Sequence, residues 1–287
     1  MSRTRSLILA LLFTLALPLW AEDDESRFEV KYGKNFTFSG GRVSIDHGFG
    51  DLEIRTHNSN QVQVRATIRS SDEEVGKQIR IVASEGPSGV TIRTEFPQIH
   101  RRRGNLSYSV DMTVTLPANA PVTAKKKFGG TDARGLQASS TIENKQGSIA
   151  FAEGRGNHSL SNSFGSIEAS DNRGDLTISN TNGSIDVRKV DGTVTANNRF
   201  GSVSVTDVER AVTITNTNGS IEALDIGGTL KATSAFGNII ASTIGASADI
   251  TTSNSRVELT NVKGSAAIKN SFGNVDVKNI SGNLAVD

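Results

Sequence analysis

The chain has no cysteine, five prolines, one tryptophan and two tyrosines in 287 residues. Without cysteine it is neither a disulfide scaffold nor a lipoprotein anchored through an N-terminal thiol. Stability has to come from packing and backbone pairing. The single tryptophan, Trp20, belongs to an N-terminal segment with the layout of a secretory signal peptide, residues 1–21. Arg3 and Arg5 precede an apolar run from Leu7 to Leu17. Pro18 and Leu19-Trp20-Ala21 follow, then the acidic Glu22-Asp23-Asp24-Glu25. Cleavage is expected after Ala21. The run is shorter than the roughly 20 apolar residues that span a bilayer, and no later segment is apolar enough to cross one. A dominant charge sign is also lacking. With Arg3 and Arg5 removed, 29 basic residues face 30 acidic ones, a net charge of −1. That balance has no particular attraction for nucleic acid.

Glycine, by contrast, is abundant, at 28 residues. From Gly129 onward it marks a period of 18 residues without insertion: Gly129, Gly147, Gly165, Gly183, Gly201, Gly219, Gly237, Ser255, Gly273. Each is followed by a block such as Ser166-Ile167-Glu168-Ala169 or Ser184-Ile185-Asp186-Val187. A short strict period means stacked units that bury a face only against their neighbours.

Numbering each unit from its glycine, positions 3, 5, 12 and 14 are apolar, as in Ile167, Ala169, Leu176 and Ile178. The residues between them are polar, as in Glu168 and Thr177. Period-two alternation predicts two half-buried strands per unit. Position 8 adds a branched apolar row that includes Val190, Val208 and Ile226, suited to a corner. Position 16 is almost uniformly asparagine (Asn144, Asn162, Asn180, Asn198, Asn216, Asn270), which suggests a ladder of stacked amides. Position 18 alternates Gln146, Phe164, Asn182, Phe200, Asn218, Phe236, Asn254, Phe272. Ala196 and Ala232 at position 14 precede two of these phenylalanines, so volume compensation inside the core is expected. One unit per coil gives a rod on the order of 40 Å long at the usual strand spacing. A 36-residue coil, stacking all the phenylalanines, is the alternative. Arg173 and Ser179 exclude a hexapeptide helix, and the right-handed crossover is the default.

Residues 22–128 lose the period but still alternate, in Gln61–Ile68, Gln78–Ala83, Gly89–Thr94 and Leu106–Leu116. Phe49-Gly50-Asp51-Leu52-Glu53-Ile54 is an early copy of the repeat block, and Ser71-Asp72-Glu73-Glu74 suits one helical turn. The expected architecture is all-β: a single-stranded β-helix or solenoid over 129–287, preceded by an irregular, sandwich-like N-terminal β cap over 22–128.

The Phe-Gly-Ser-Ile and Asn-Gly-Ser-Ile blocks, with the approach segment Val114-Thr115-Leu116-Pro117-Ala118-Asn119-Ala120-Pro121-Val122, resemble the bacterial "putative adhesin" family. Head GIN domains of autotransporter adhesins look similar. The resemblance implies an exported β-helix of the cell envelope and brings no catalytic residue with it.

Chemistry is thinly signposted. His47, His57, His100 and His158 have no metal-site spacing, and the Gly-Gly-x-Gly-x-Asp pattern of calcium β-rolls is absent. His158, on an inward row, reads as a core residue. No catalytic, cofactor or metal constellation is present. Position 4 carries an outward acidic column, Glu168, Asp186, Glu222, Glu258 and Asp276, whose neighbours in adjacent coils would lie roughly 5 Å apart. That is near the carboxylate separation of retaining glycosidases, although an acidic face also protects exposed sheet. Two basic runs, Arg101-Arg102-Arg103 and Lys125-Lys126-Lys127, form a candidate patch for an anionic envelope polymer or lipid headgroup. The last unit stops at Asn283-Leu284-Ala285-Val286-Asp287, and this open coil is expected to dock a second copy or a partner strand.

The expectation is therefore a non-enzymatic envelope protein, periplasmic or at the cell surface, that binds a protein or glycan or serves as a scaffold. A polysaccharide-acting enzyme using the acidic column and an envelope-stress sensor using Arg101–Arg103 are the alternatives.

Overall fold

The computed structural model describes residues 28–98 and 106–287. The signal-like segment and the run Arg101–Arg103 lie outside them. The described chain forms two 13-stranded sheets packed face to face. Each 18-residue period contributes one strand to each, as in Val194–Phe200 and Val203–Val208 on either side of Gly201. A tight corner at the glycine joins them, and a second turn at positions 9–11 leads to the next strand. Like positions pair in register one unit apart, Ile185 with Val203 and Val194 with Val212. The coil is therefore 18 residues, not 36. Positions 3, 5, 8, 12 and 14 point inward and are almost fully buried: Ile185, Val187, Val190, Val194 and Ala196 are each 1% exposed or less.

The N-terminal part consists of β1 (Phe28–Thr37), β2 (Arg42–Phe49), β3 (Leu52–His57), β4 (Gln61–Ser70), α1 (Glu73–Gly76), β5 (Arg80–Gly86), β6 (Gly89–Glu95), β7 (Tyr108–Pro117) and β8 (Val122–Phe128). Its two layers are the first rungs of the same two sheets. β8 pairs with β2 on one side and with Ser140–Gln146 on the other, so the sheets run unbroken past residue 128. The block at Phe49-Gly50 is a genuine coil, with Phe49 paired to Phe128 and Leu52 to Thr131. Stacking departs from chain order: β6 and β7 lie beneath β2 and β3. The outermost strands, β1, β4 and β5, add antiparallel. A solenoid needs such a covering at an end, because a parallel edge left open exposes unpaired backbone. α1 starts at Asp72, whose carboxylate accepts from the Val75 amide at 2.9 Å, a side-chain cap for a free helix N–H.

Two local features repeat through the stack. At position 7 the backbone is left-handed in every coil from Glu153 (φ 59°) to Asn279 (φ 58°). Asp and Asn tolerate this conformation best, and they fill five of those eight positions. At position 16 the asparagines do not form the expected amide ladder. Each Nδ2 donates instead to the carbonyl of the corner residue 15 positions earlier: Asn162 to Gly147 at 2.8 Å, Asn180 to Gly165 at 2.9 Å, Asn216 to Gly201 at 3.0 Å and Asn270 to Ser255 at 2.9 Å. The corner bends that carbonyl out of the strand ladder, and the side chain satisfies it. A buried carbonyl left alone would be costly. Asn180→Ala is expected to cost about 1–3 kcal/mol in urea denaturation. A loss below about 0.5 kcal/mol would show that the corner does not need the clamp.

Candidate binding surfaces

The outward face of the sheet that holds Val203–Val208 carries the acidic column. Register places Glu168 beside Asp186 and Glu258 beside Asp276. Ser204 and Ile240 interrupt the column on either side of Glu222. Its charge is partly answered within the strands. Arg188 donates to Asp186 at 2.8 and 2.6 Å, and Lys278 to Asp276 at 3.3 Å. Ala150 and Ala152 leave a hollow of about 310 Å³ between Asp132, Arg134, Glu168 and Arg188. Around the second turn a groove of about 610 Å³ is lined by alternating charges. Several of these are paired, Arg173 with Asp191 at 3.7 Å and Lys189 with Asp171 at 3.8 Å. Among the described residues no group of three or more His, Asp or Glu side chains is placed to hold a metal ion. No described helix is long and apolar enough to cross a membrane.

The lysine run divides. Lys125 faces solvent, 3.6 Å from Glu143, and Lys127 is exposed. Lys126 departs from the patch: it occupies position 16, is 3% exposed, and donates to the carbonyls of Gly50 and Phe128. It is a corner clamp where later coils use asparagine. Burial lowers its pKa to about 8. His47 is its counterpart one coil below. Burial, and then the charge of Lys126, lower the His47 pKa to about 4. His158 is buried, with Nδ1 2.7 Å from the Ser140 hydroxyl and Nε2 3.1 Å from the Arg155 carbonyl. Burial lowers its pKa to about 4 as well. His57 ends β3 half-buried, its ring nitrogens 2.7 Å from the Ser59 hydroxyl and 2.7 Å from the Gln61 carbonyl, and His100 lies outside the described residues.

The phenylalanines of position 18 are not in the core. Phe128, Phe164, Phe200, Phe236 and Phe272 are 40 to 72% exposed. The inward turn of the position-16 side chain and the sharp bend at the glycine rotate position 18 out of the interior. The rings therefore form a column along one edge of the rod, in alternate coils. Gln146, Asn182, Asn218 and Asn254 sit between them in register. At its lower end the column joins a cluster in which Phe49 stacks on Phe128 at 4.7 Å and meets Phe96 and Tyr108 edge-on. Over its central strands the adjoining sheet face is nearly free of charge. On the four strands His158–Phe164, Leu176–Asn182, Val194–Phe200 and Val212–Asn218, the outward residues are Ser, Thr or Asn apart from Arg199. The alternation at position 18 is the sequence signal for this surface, but residue type alone points a phenylalanine inward.

No protein-family model matches the chain, and no curated protein matches it. It is similar to several solved structures. A putative cell adhesion protein from Clostridium sporogenes is 11% identical, with 90% of this chain and 99% of that one covered and a TM-score of 0.30. A putative adhesin from Bacteroides fragilis is 14% identical, with 92% and 99% covered and a TM-score of 0.33. A putative lipid binding protein from Parabacteroides distasonis is 10% identical, with 90% and 96% covered and a TM-score of 0.29.

Proposed function

We propose that this is an exported, non-enzymatic β-solenoid of the cell envelope that binds an extended partner along its length. The observation that carries the reading is the exposed phenylalanine column beside an uncharged Ser/Thr/Asn face. A soluble protein seldom leaves a row of large apolar side chains in water without a use for it. The stacked sheets hold the row rigid, so little conformational freedom is lost on binding. The signal-like N-terminus fits export.

The test has two parts. Full-length protein produced in a bacterial host is expected to appear in the exported fraction with residues 1–21 removed. Purified protein is expected to co-sediment with washed envelope fragments. Retention of the whole chain in the cytoplasm, or no sedimentation, would overturn the reading. Glu168→Ala with Asp186→Ala is expected to leave sedimentation unchanged. Envelope-glycan hydrolysis by the wild type that this pair abolishes would convert the protein into an enzyme.

A further inference from the structure

We propose that the phenylalanine corner binds an uncharged, β-1,4-linked N-acetylhexosamine chain laid parallel to the solenoid axis. The assignment rests on the surface-binding reading above and names its ligand. The rings of Phe128, Phe164, Phe200, Phe236 and Phe272 recur every second coil, at about 10 Å intervals. In a β-1,4-linked chain successive rings turn over, so the same ring face returns at every second sugar, over a similar distance. The axial C–H groups of a pyranose make that face apolar, and an aromatic ring stacks against it much as it stacks on a nucleobase, with little regard to substituents.

The residues between the phenylalanines fit the intervening sugars. Gln146, Asn182, Asn218 and Asn254 each stand one coil, about 5 Å, from the nearest ring. A side-chain amide offers both a donor and an acceptor, the complement of an acetamido group. The alternation of ring and amide along the protein thus matches the alternation of stacked ring and presented acetamido group along the glycan.

Charge complementarity selects a neutral polymer. The outward side chains over the four central strands are hydroxyls and amides, and the one cation, Arg199, lies against the Phe200 ring with its guanidinium 5.1 Å from the centroid. Charged residues gather on the other sheet, around the second turn and on the strands of this sheet above and below these four. Cations stand towards the two ends of the aromatic row, Lys127 and Lys145 at the lower end and Lys231, Arg256 and Lys269 at the upper, so along its middle an anionic polymer would find only Arg199. A polyhydroxylated uncharged chain finds ring faces, hydroxyls and amides along the row's length.

The test is calorimetric titration of the purified protein with N-acetylchitohexaose, with cellohexaose as comparator. The wild type is expected to bind the first, and the second about threefold or more weakly for want of acetamido groups. Phe164→Ala, Phe200→Ala and Phe236→Ala combined are expected to weaken binding about tenfold or more. Because these rings are exposed, the denaturation midpoint should not move. Glu168→Ala with Asp186→Ala, on the opposite sheet, should bind as wild type. No binding of N-acetylchitohexaose at millimolar concentration, or unchanged affinity in the triple variant, would overturn the proposal. Equal affinity for cellohexaose would overturn the N-acetylhexosamine assignment. If the protein still sediments with envelope fragments yet ignores N-acetylchitohexaose, the ligand assignment fails and the surface-binding reading stands. If it does neither, both fail.

Discussion

Gly201→Val is expected to destabilise the protein by about 4 kcal/mol or more, the range reserved for a buried backbone conflict. Gly201 has φ of 120°, where a side chain is strained even with space around it. Space is also missing: a Cβ there would lie 2.4 Å from the carbonyl oxygen of Gly183 in the neighbouring coil. That neighbour is backbone and cannot swing aside. It is held in register with the coils on either side, so relief at one corner transmits strain along the stack. Since each unit is stabilised by its neighbours, a break in the middle separates the rod into two shorter pieces. Gly86→Ala is the control. Gly86 has an ordinary φ, and a methyl group added there would meet nothing within 4 Å, so a change within about 0.5 kcal/mol is expected. Denaturant midpoints followed by far-UV circular dichroism would measure both. A Gly201→Val protein within about 1 kcal/mol of wild type would mean that the corners flex far more than their geometry implies. Ser255, at the same position of a later coil, is consistent with the argument. It does not have the left-handed φ of the other corners, and its hydroxyl accepts from Thr252 at 2.7 Å, where other coils have asparagine. The Ser255 carbonyl keeps its asparagine clamp, from Asn270 at 2.9 Å, so the corner accepts serine through its changed φ and the Thr252 contact.

The second large effect is acid lability above the carboxylate range. His47 and His158 each have a pKa lowered from 6.5 to about 4, chiefly by burial. The unfolded chain therefore binds more protons than the folded one between those values, and stability rises with pH there. The contribution is complete above the unfolded value of 6.5 and is lost as pH falls from there towards 4. Each histidine accounts for a loss on the order of 2–3 kcal/mol. Denaturant midpoints at about pH 7.5 and about pH 4.5 should differ clearly, before most carboxylates titrate. His158→Leu, which copies Leu176 in the next coil, should remove about half of that pH dependence, although the Ser140 hydroxyl loses a partner and neutral-pH stability falls somewhat. Equal stability of the wild type at the two pH values would show that both histidines titrate in the fold as they do in the unfolded chain.

Much of the architecture is legible because a repeat averages out local ambiguity. One alternating segment is weak evidence for a strand. Nine copies in step identify the inward rows, and Val194, Ala196, Ile185 and Val187 are all buried as their positions imply. The cap is less legible. Its strands are recognisable from alternation, but the placing of β6 and β7 beneath β2 and β3 depends on contacts far apart in the chain. Three expectations fail at one place in the coil. Alternation and residue type assign the asparagines to one another rather than to glycine carbonyls, the phenylalanines to the core rather than to the corner, and Lys126 to a surface run rather than to a clamp. Each of these residues lies within three positions of the bend at the glycine. At position 16 parity still holds, since Lys126 and the asparagines are buried, and only residue type misleads; at position 18 the bend takes the chain out of strand geometry and parity fails as well.

Spacing alone dictates the period, the two strands per unit, the inward apolar rows, and an all-β stack with acidic residues on one outer face. All of these can be counted along the chain without knowing what lies across from it. The 18-residue register, the direction of every corner side chain and the continuity of the cap with the rod emerge only when the coils are stacked. They depend on where a carbonyl is freed by a bend and which side chain from a neighbouring coil lies close enough to satisfy it. The aromatic column that defines the candidate binding surface belongs to this second group: its residues are plain in the sequence, and its exposure is a property of the bend.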